Sequence, residues 1–164
     1  MNNTFQNDFT RGTNAEKRFA EKHLYNYKMS SKNENMFEHW DIAGILKCSN
    51  AINILKFDVK AMKKINKQDA DYKNDYTWIE GTNVRGNDGW IKGKADYIVF
   101  ERLNNWTLVK RENLYKWIVQ KLENNNYQKG KGLYQIYQRE NRKDKITLIK
   151  YSDIPINNII QLPL

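Results

Sequence analysis

Apolar positions recur along the chain with two different periods, and the switches between them mark the elements. Residues 1–12 are polar as far as Gly12 and are expected to be loose. Thr13 or Asn14 can then cap a helix with Glu16 in its first turn, and Ala15, Phe19, Ala20, His23 and Leu24 recur at helical spacing. "KMSSKNEN" (28–35) reads as loop. The runs 36–47 and 51–62 are strand-like and separated only by "CSN", which predicts an antiparallel hairpin. In the second run Leu55, Phe57, Val59 and Ala61 alternate with Lys56, Asp58 and Lys60, the period of a strand.

A charged loop over 63–75 leads to the strand "YTWIEGTNV", the turn "RGNDG" and a returning strand "WIKGKADYIVFE". "WTLVK" is a short strand and "RENLYKWIVQKLE" (111–123) a helix, with Leu114, Trp117, Ile118 and Leu122 at spacings of three and four. "LYQIYQ" and "ITLIKY" predict a closing hairpin. The order is that of a mixed α/β domain, α+β-like, with a central sheet flanked by helices. A chain of 164 residues fits a single domain, 1–164.

Composition narrows the partners. Hydrophobic content of 40% with 13% aromatic is enough for a core, so the many Lys and Asn residues do not imply disorder. A formal net charge of +9 favours a polyanion, nucleic acid before an anionic membrane surface. One cysteine, Cys48, suits a reducing compartment. "MNNTFQNDFTRGTN" has no apolar core of signal-peptide length, and no run approaches the ~20 apolar residues of a membrane span. The expectation is a cytoplasmic protein with no membrane partner.

The acids on the hairpin change the picture further. Asp58 and Lys60 share one strand face, with Cα atoms about 6.5–7 Å apart. Asp41, on the other strand, can lie opposite or diagonal to Asp58. Two carboxylates that close raise each other's pKa unless a cation lies between them. A hard cation, Mg²⁺ or Mn²⁺, fits that donor set, and Lys60 would then assist an attacking water and offset charge on a phosphate. The three groups are expected to converge on one open sheet face.

An acid followed by acid-x-Lys on the next strand, behind a helix carrying Glu, resembles the PD-(D/E)xK nuclease superfamily and its restriction-endonuclease-like fold. Here the pattern is His39-Trp40-Asp41, sixteen intervening residues, then Asp58-Val59-Lys60. "WIEGTNVRGNDGWIKGKADYIVFE" and "TLVKRENLYKWI" are similar to small phage-borne and mobile-element members. Trp40 stands where the family often has proline, and Asp58 where it often has Glu. The resemblance implies divalent-metal-dependent hydrolysis of a nucleic-acid phosphodiester, with DNA expected before RNA, by in-line attack of a metal-activated water. Asp41, Asp58 and the Val59 carbonyl would hold the metal, Lys60 would assist the water, and Glu16 would supply a further acid. A branched-DNA (Holliday-junction) resolvase working as a homodimer, and a catalytically inactive nucleic-acid-binding or interaction protein on the same fold, are the alternatives.

Glu80 is a supporting candidate, because a strand next to the motif strand would place it beside Asp58. Asp96 is expected to cap its turn or pair with Lys94. One Cys and two His cannot fill a zinc site, and "RGNDGW" lacks the spacing of a phosphate-cradling P-loop. Lys63, Lys64, Lys67, Lys110, Arg111, Lys129 and Lys131 are the candidate phosphate contacts, with Tyr72, Tyr76, Trp90 and Tyr127 available for stacking on bases.

Overall fold

The computed structural model describes residues 3–49, 52–62 and 75–164, with the side chains of 3–9 and 158 left aside. The chain forms two compact units, each assembled from separate stretches of sequence. The first comprises Met1–Ala61, Lys94–Leu108 and Gln161–Leu164, and the second Met62–Gly93 and Val109–Ile160. No helix among the described residues is long and apolar enough to cross a membrane.

The helix α1 (Asn3–His23) starts ten residues ahead of the cap expected at Thr13. Gly12 does not stop it, because one interior glycine costs only about 1 kcal/mol relative to alanine. The buried stripe is the one the spacing predicts: Ala15, Phe19, Ala20 and His23 are all covered. Phe19 is the centre of this core, with ring centroids 5.5 Å from Phe57, 5.4 Å from Trp106 and 5.5 Å from His23.

Among the described residues eight strands follow the mixed α/β pattern: β1 (Leu24–Met29), β2 (Ile42–Leu46), β3 (Leu55–Lys60), β4 (Tyr76–Thr82), β5 (Tyr97–Glu101), β6 (Asn105–Lys110), β7 (Lys145–Lys150) and β8 (Ile159–Pro163). Six of them form a central mixed sheet in the order β1-β2-β3-β5-β6-β8. The expected hairpin is present as antiparallel β2 and β3, with Ile42 opposite Phe57 and Gly44 opposite Leu55. Its first strand is shorter than the 36–47 run, because residues Glu34–Glu38 coil into a π-helical turn. That turn, expected as loop up to residue 35 and as strand from residue 36, opens on a reciprocal cap: Ser31 N–H donates to Glu34 Oε2 (2.8 Å) and Glu34 N–H to Ser31 Oγ (3.3 Å).

β3 pairs in parallel with β5, Asp58 opposite Ile98 and Val59 opposite Val99, so the chain between them is a crossover. Only the second half of "WIKGKADYIVFE" is strand, since Trp90–Lys92 is a 3-10 turn. β4 does not join the central sheet but pairs with β7, Glu80 opposite Ile146. "ITLIKY" therefore finds β4 as its main partner, and "LYQIYQ" touches it only through isolated bridges such as Tyr137–Ile146. The helix α2 (Arg111–Asn124) covers the predicted segment and buries Leu114 and Ile118.

Phe19→Ala should remove the shared contact of α1 with β3 and β6 and destabilise the chain by about 3–5 kcal/mol, the usual range for a buried aromatic. Urea unfolding followed by circular dichroism measures that shift.

Candidate active site

The candidate site lies where the β2–β3 ladder ends. One step beyond the Ile42–Phe57 pair, Asp41 leaves the regular pattern. Its N–H donates to Phe57 O (2.8 Å) and its carbonyl accepts Ser30 N–H (2.7 Å). The side chain then takes over the role of backbone acceptor: Asp41 Oδ2 accepts Val59 N–H at 2.7 Å. In an extended strand the N–H and C=O of one residue face the same edge, so the Val59 carbonyl points toward the Asp41 side as well. Asp41 Oδ1 accepts Asn35 Nδ2 at 2.5 Å. Asn35 sits in the π-helical turn and was not a sequence candidate. The Ser31-x-x-Glu34 capping signature is the one signal that would have shown a helical turn there.

Asp58 and Asp41 do converge, but not on an open face. Asp58 is 2% and Asp41 7% exposed. Lys60 Nζ donates to Asp58 Oδ1 at 2.6 Å, as expected from their shared strand face. Asp58 Oδ2 is buried and finds no donor among the described residues. Burial pushes the Asp58 carboxyl well above its ordinary pKa; Lys60 opposes that, and the neighbouring Asp41 adds to it. Ionised at this point, Asp58 leaves Oδ2 without a partner among the described residues.

Glu16, on α1, lies within electrostatic reach of this pair. Its pKa is raised to about 7, first by burial, then by the negative charge of Asp41, with Lys60 pulling the other way. Glu38 shows the opposite behaviour. Its carboxylate accepts hydrogen bonds from Lys56 Nζ (2.9 Å), Trp40 Nε1 (2.9 Å) and Lys94 Nζ (3.0 Å), which hold it down to about 2. Lys94 thus pairs with Glu38 rather than with Asp96. Asp96 ties instead to β3, its Oδ2 accepting Lys56 N–H at 2.7 Å.

The other candidates belong to other elements of the chain. β3 is flanked by β2 and β5, so the strand adjacency expected to bring Glu80 beside Asp58 is not the one the fold uses. Glu80 belongs to β4 of the second unit, where Gly89 packs so closely that a Cβ there would stand 2.2 Å from the Glu80 carbonyl oxygen. Lys110 is exposed at the end of β6, whereas Arg111 is half-buried and donates to Ile91 O at 3.3 Å. Lys129 and Lys131 are exposed, the latter with Nζ 5.0 Å from the Tyr137 ring centroid. Tyr76 and Trp90 are half-buried and Tyr127 is exposed. Lys63, Lys64, Lys67 and Tyr72 lie outside the described residues.

The donor set fits Mg²⁺ or Mn²⁺. Among the described residues no group of three or more His, Cys, Asp or Glu side chains forms a ligand cluster. Mg²⁺ does not need one: one or two carboxylates, waters and substrate oxygens are its usual company. Asp41, Asp58 Oδ2 and the Val59 carbonyl are hard oxygen donors of that kind.

The raised pKa of Glu16 fixes a sign. The folded chain prefers the protonated acid, so the cost of ionising it is absent below the ordinary 4.5 and grows as pH rises through about 7. A carboxyl NMR titration of the metal-free chain should therefore place the Glu16 midpoint near neutrality. Asp41→Asn should lower that midpoint, and Lys60→Met should raise it.

No protein-family model, curated protein or solved structure matches this chain. What the site can do has to be read from its own geometry.

Proposed function

We propose that the chain is a nuclease that hydrolyses DNA phosphodiester bonds with Mg²⁺ or Mn²⁺ held by Asp41, Asp58 and the Val59 carbonyl. The observation that carries this reading is the buried carboxylate pair with Lys60 bonded to one member and one carboxylate oxygen unpartnered among the described residues. Two acids and an ammonium at such a point are costly to fold around unless a cation completes them. When bound, the ion would supply Lewis-acid stabilisation of a phosphate oxygen and ease ionisation of a water.

The chain's own groups divide the remaining work. Asn35 and the Val59 N–H fix the direction of the Asp41 carboxylate. Lys60 holds an ammonium beside the pair, able to orient the attacking water and to offset charge on the phosphate as it is attacked. Glu16, balanced between its two protonation states near pH 7, can accept a proton released there. The resemblance to PD-(D/E)xK nucleases supports the same assignment. Under this reading the exposed thiol of Cys48 suits the cytoplasm, and a homodimer would serve an enzyme that cuts two strands symmetrically.

The burial of Asp58 favours one other reading, in which the acids only stabilise the strand junction of a nucleic-acid-binding or interaction protein. Cleavage assays on linear, circular, single-stranded and branched DNA, with Mg²⁺, Mn²⁺ or EDTA, separate the two. Metal-dependent cutting is expected. Asp58→Asn should abolish it while leaving DNA affinity equal or higher, and loss of folding in that variant supports the structural role instead. Lys60→Arg keeps the charge but not the compact, titratable ammonium, and should lose on the order of a hundredfold in rate. Near wild-type cutting by Lys60→Arg would remove Lys60 from the mechanism.

A further inference from the structure

We propose that the outer edge of β1 and the turn after it form a docking surface for single-stranded DNA, whose unpaired bases stack on Tyr25, Tyr27 and Phe37. The inference rests on the nuclease reading of the neighbouring acid pair. β1 is an end strand of the six-stranded sheet, so it has a strand neighbour on one side only. Burial falls away after Leu24: Tyr25 is 58% exposed, Tyr27 39%, Met29 42%, Met36 44% and Phe37 71%. Five large apolar side chains are thus left in water between residues 25 and 37.

An apolar edge could instead receive a strand from a second copy, and the backbone here opposes that. The register slips between Tyr25 and Lys28, so Asn26 and Tyr27 together face Gly44, and Asn26 adopts φ 47°. Gly44 permits the bulge, since a Cβ there would stand 3.0 Å from Tyr27 Cβ and 3.2 Å from the Tyr25 carbonyl oxygen. A bulge beside a lysine breaks a straight pairing edge and re-aims its side chains outward.

Charge selects the partner. Between residues 21 and 38 the lysines Lys22, Lys28 and Lys32 stand beside Glu21, Glu34 and Glu38. Glu21 pairs with Lys17, and Glu38 with Lys56 and Lys94, so that only Glu34, 3.7 Å from Lys28, draws on these lysines. Lys47 adds a fourth, its Nζ 5.3 Å from the Tyr25 ring centroid. Rings interleaved with ammonium groups make a platform on which a single strand lies, bases on the rings and phosphates near the lysines. A duplex keeps its bases stacked inside and offers the rings nothing. The platform also leads into the acid pair. Met29 is paired with Ile42, and Ser30, just past the strand end, donates its N–H to Asp41 O.

The test is fluorescence anisotropy in EDTA, where nothing is cut, using a short labelled DNA strand, its duplex and the RNA strand of the same sequence. The wild-type chain should bind the DNA strand more tightly than the duplex. Tyr25→Ala and Phe37→Ala should each weaken single-strand binding by about tenfold, while Tyr25→Phe and Phe37→Tyr retain it. Duplex affinity and the melting temperature should not move. Unchanged single-strand affinity, an equal loss on duplex, tighter binding of the RNA, or a dimer that the substitutions dissolve would each overturn the proposal. Cleavage is scored separately with Mg²⁺. Ring-dependent binding without any cutting removes the nuclease reading and leaves the surface, and cutting without ring-dependent binding does the reverse.

Discussion

The hydrogen bond from Val59 N–H to the Asp41 carboxylate is the constraint on which the candidate site depends. It substitutes a side chain for a backbone acceptor at the point where β2 gives way to the preceding turn. The consequence is geometric: an acid is drawn into the plane of the sheet, against an acid that the neighbouring strand already buries. The consequence is also electrostatic. With Asp58 shielded from water, its charge is supported by Lys60 and opposed by Asp41.

The surrounding glutamates show how far environment decides the state of one side-chain type. Glu38 receives three hydrogen bonds from nitrogen donors and stays ionised far into acid. Glu16 is part-buried on α1 facing a negative charge, and its carboxyl titrates near neutrality. Their structural roles differ accordingly. Glu38 gathers Trp40, Lys56 and Lys94, and so ties the residue before Asp41, the motif strand and the entry to β5. That clamp steadies the segments that carry the acids. Glu16 keeps a part-buried acid beside the Asp41–Asp58 pair.

The edge strand extends the same logic to recognition. The bulge at Asn26 and Tyr27 costs regular pairing with β2, and Gly44 is the residue that makes the close approach possible. Rings and lysines are thereby left outward at the end of the sheet whose interior holds the acid pair.

The sequence by itself determined the elements with strong local signals and the short-range part of the site. Period-two alternation over residues 55–61 fixes Asp58 and Lys60 on one face. The short break between the two strand-like runs predicts the antiparallel pairing that brings Asp41 to Asp58, although eight residues separate β2 from β3. The periodic segment 111–123 could only be a helix. Long-range pairing was not legible. β4 carries the same alternation whether it lies next to β3 or next to β7, and only the parallel β3–β5 pairing, decided across the whole crossover, sends Glu80 to a different sheet. The start of α1 at Asn3 and the turn holding Asn35 have weak local signals. Burial of the acids was equally out of reach, because it depends on how α1 and the Glu34–Glu38 turn close over the strand ends. A pattern of residue types specifies which groups share a face; how much water reaches them is a property of everything packed around that face.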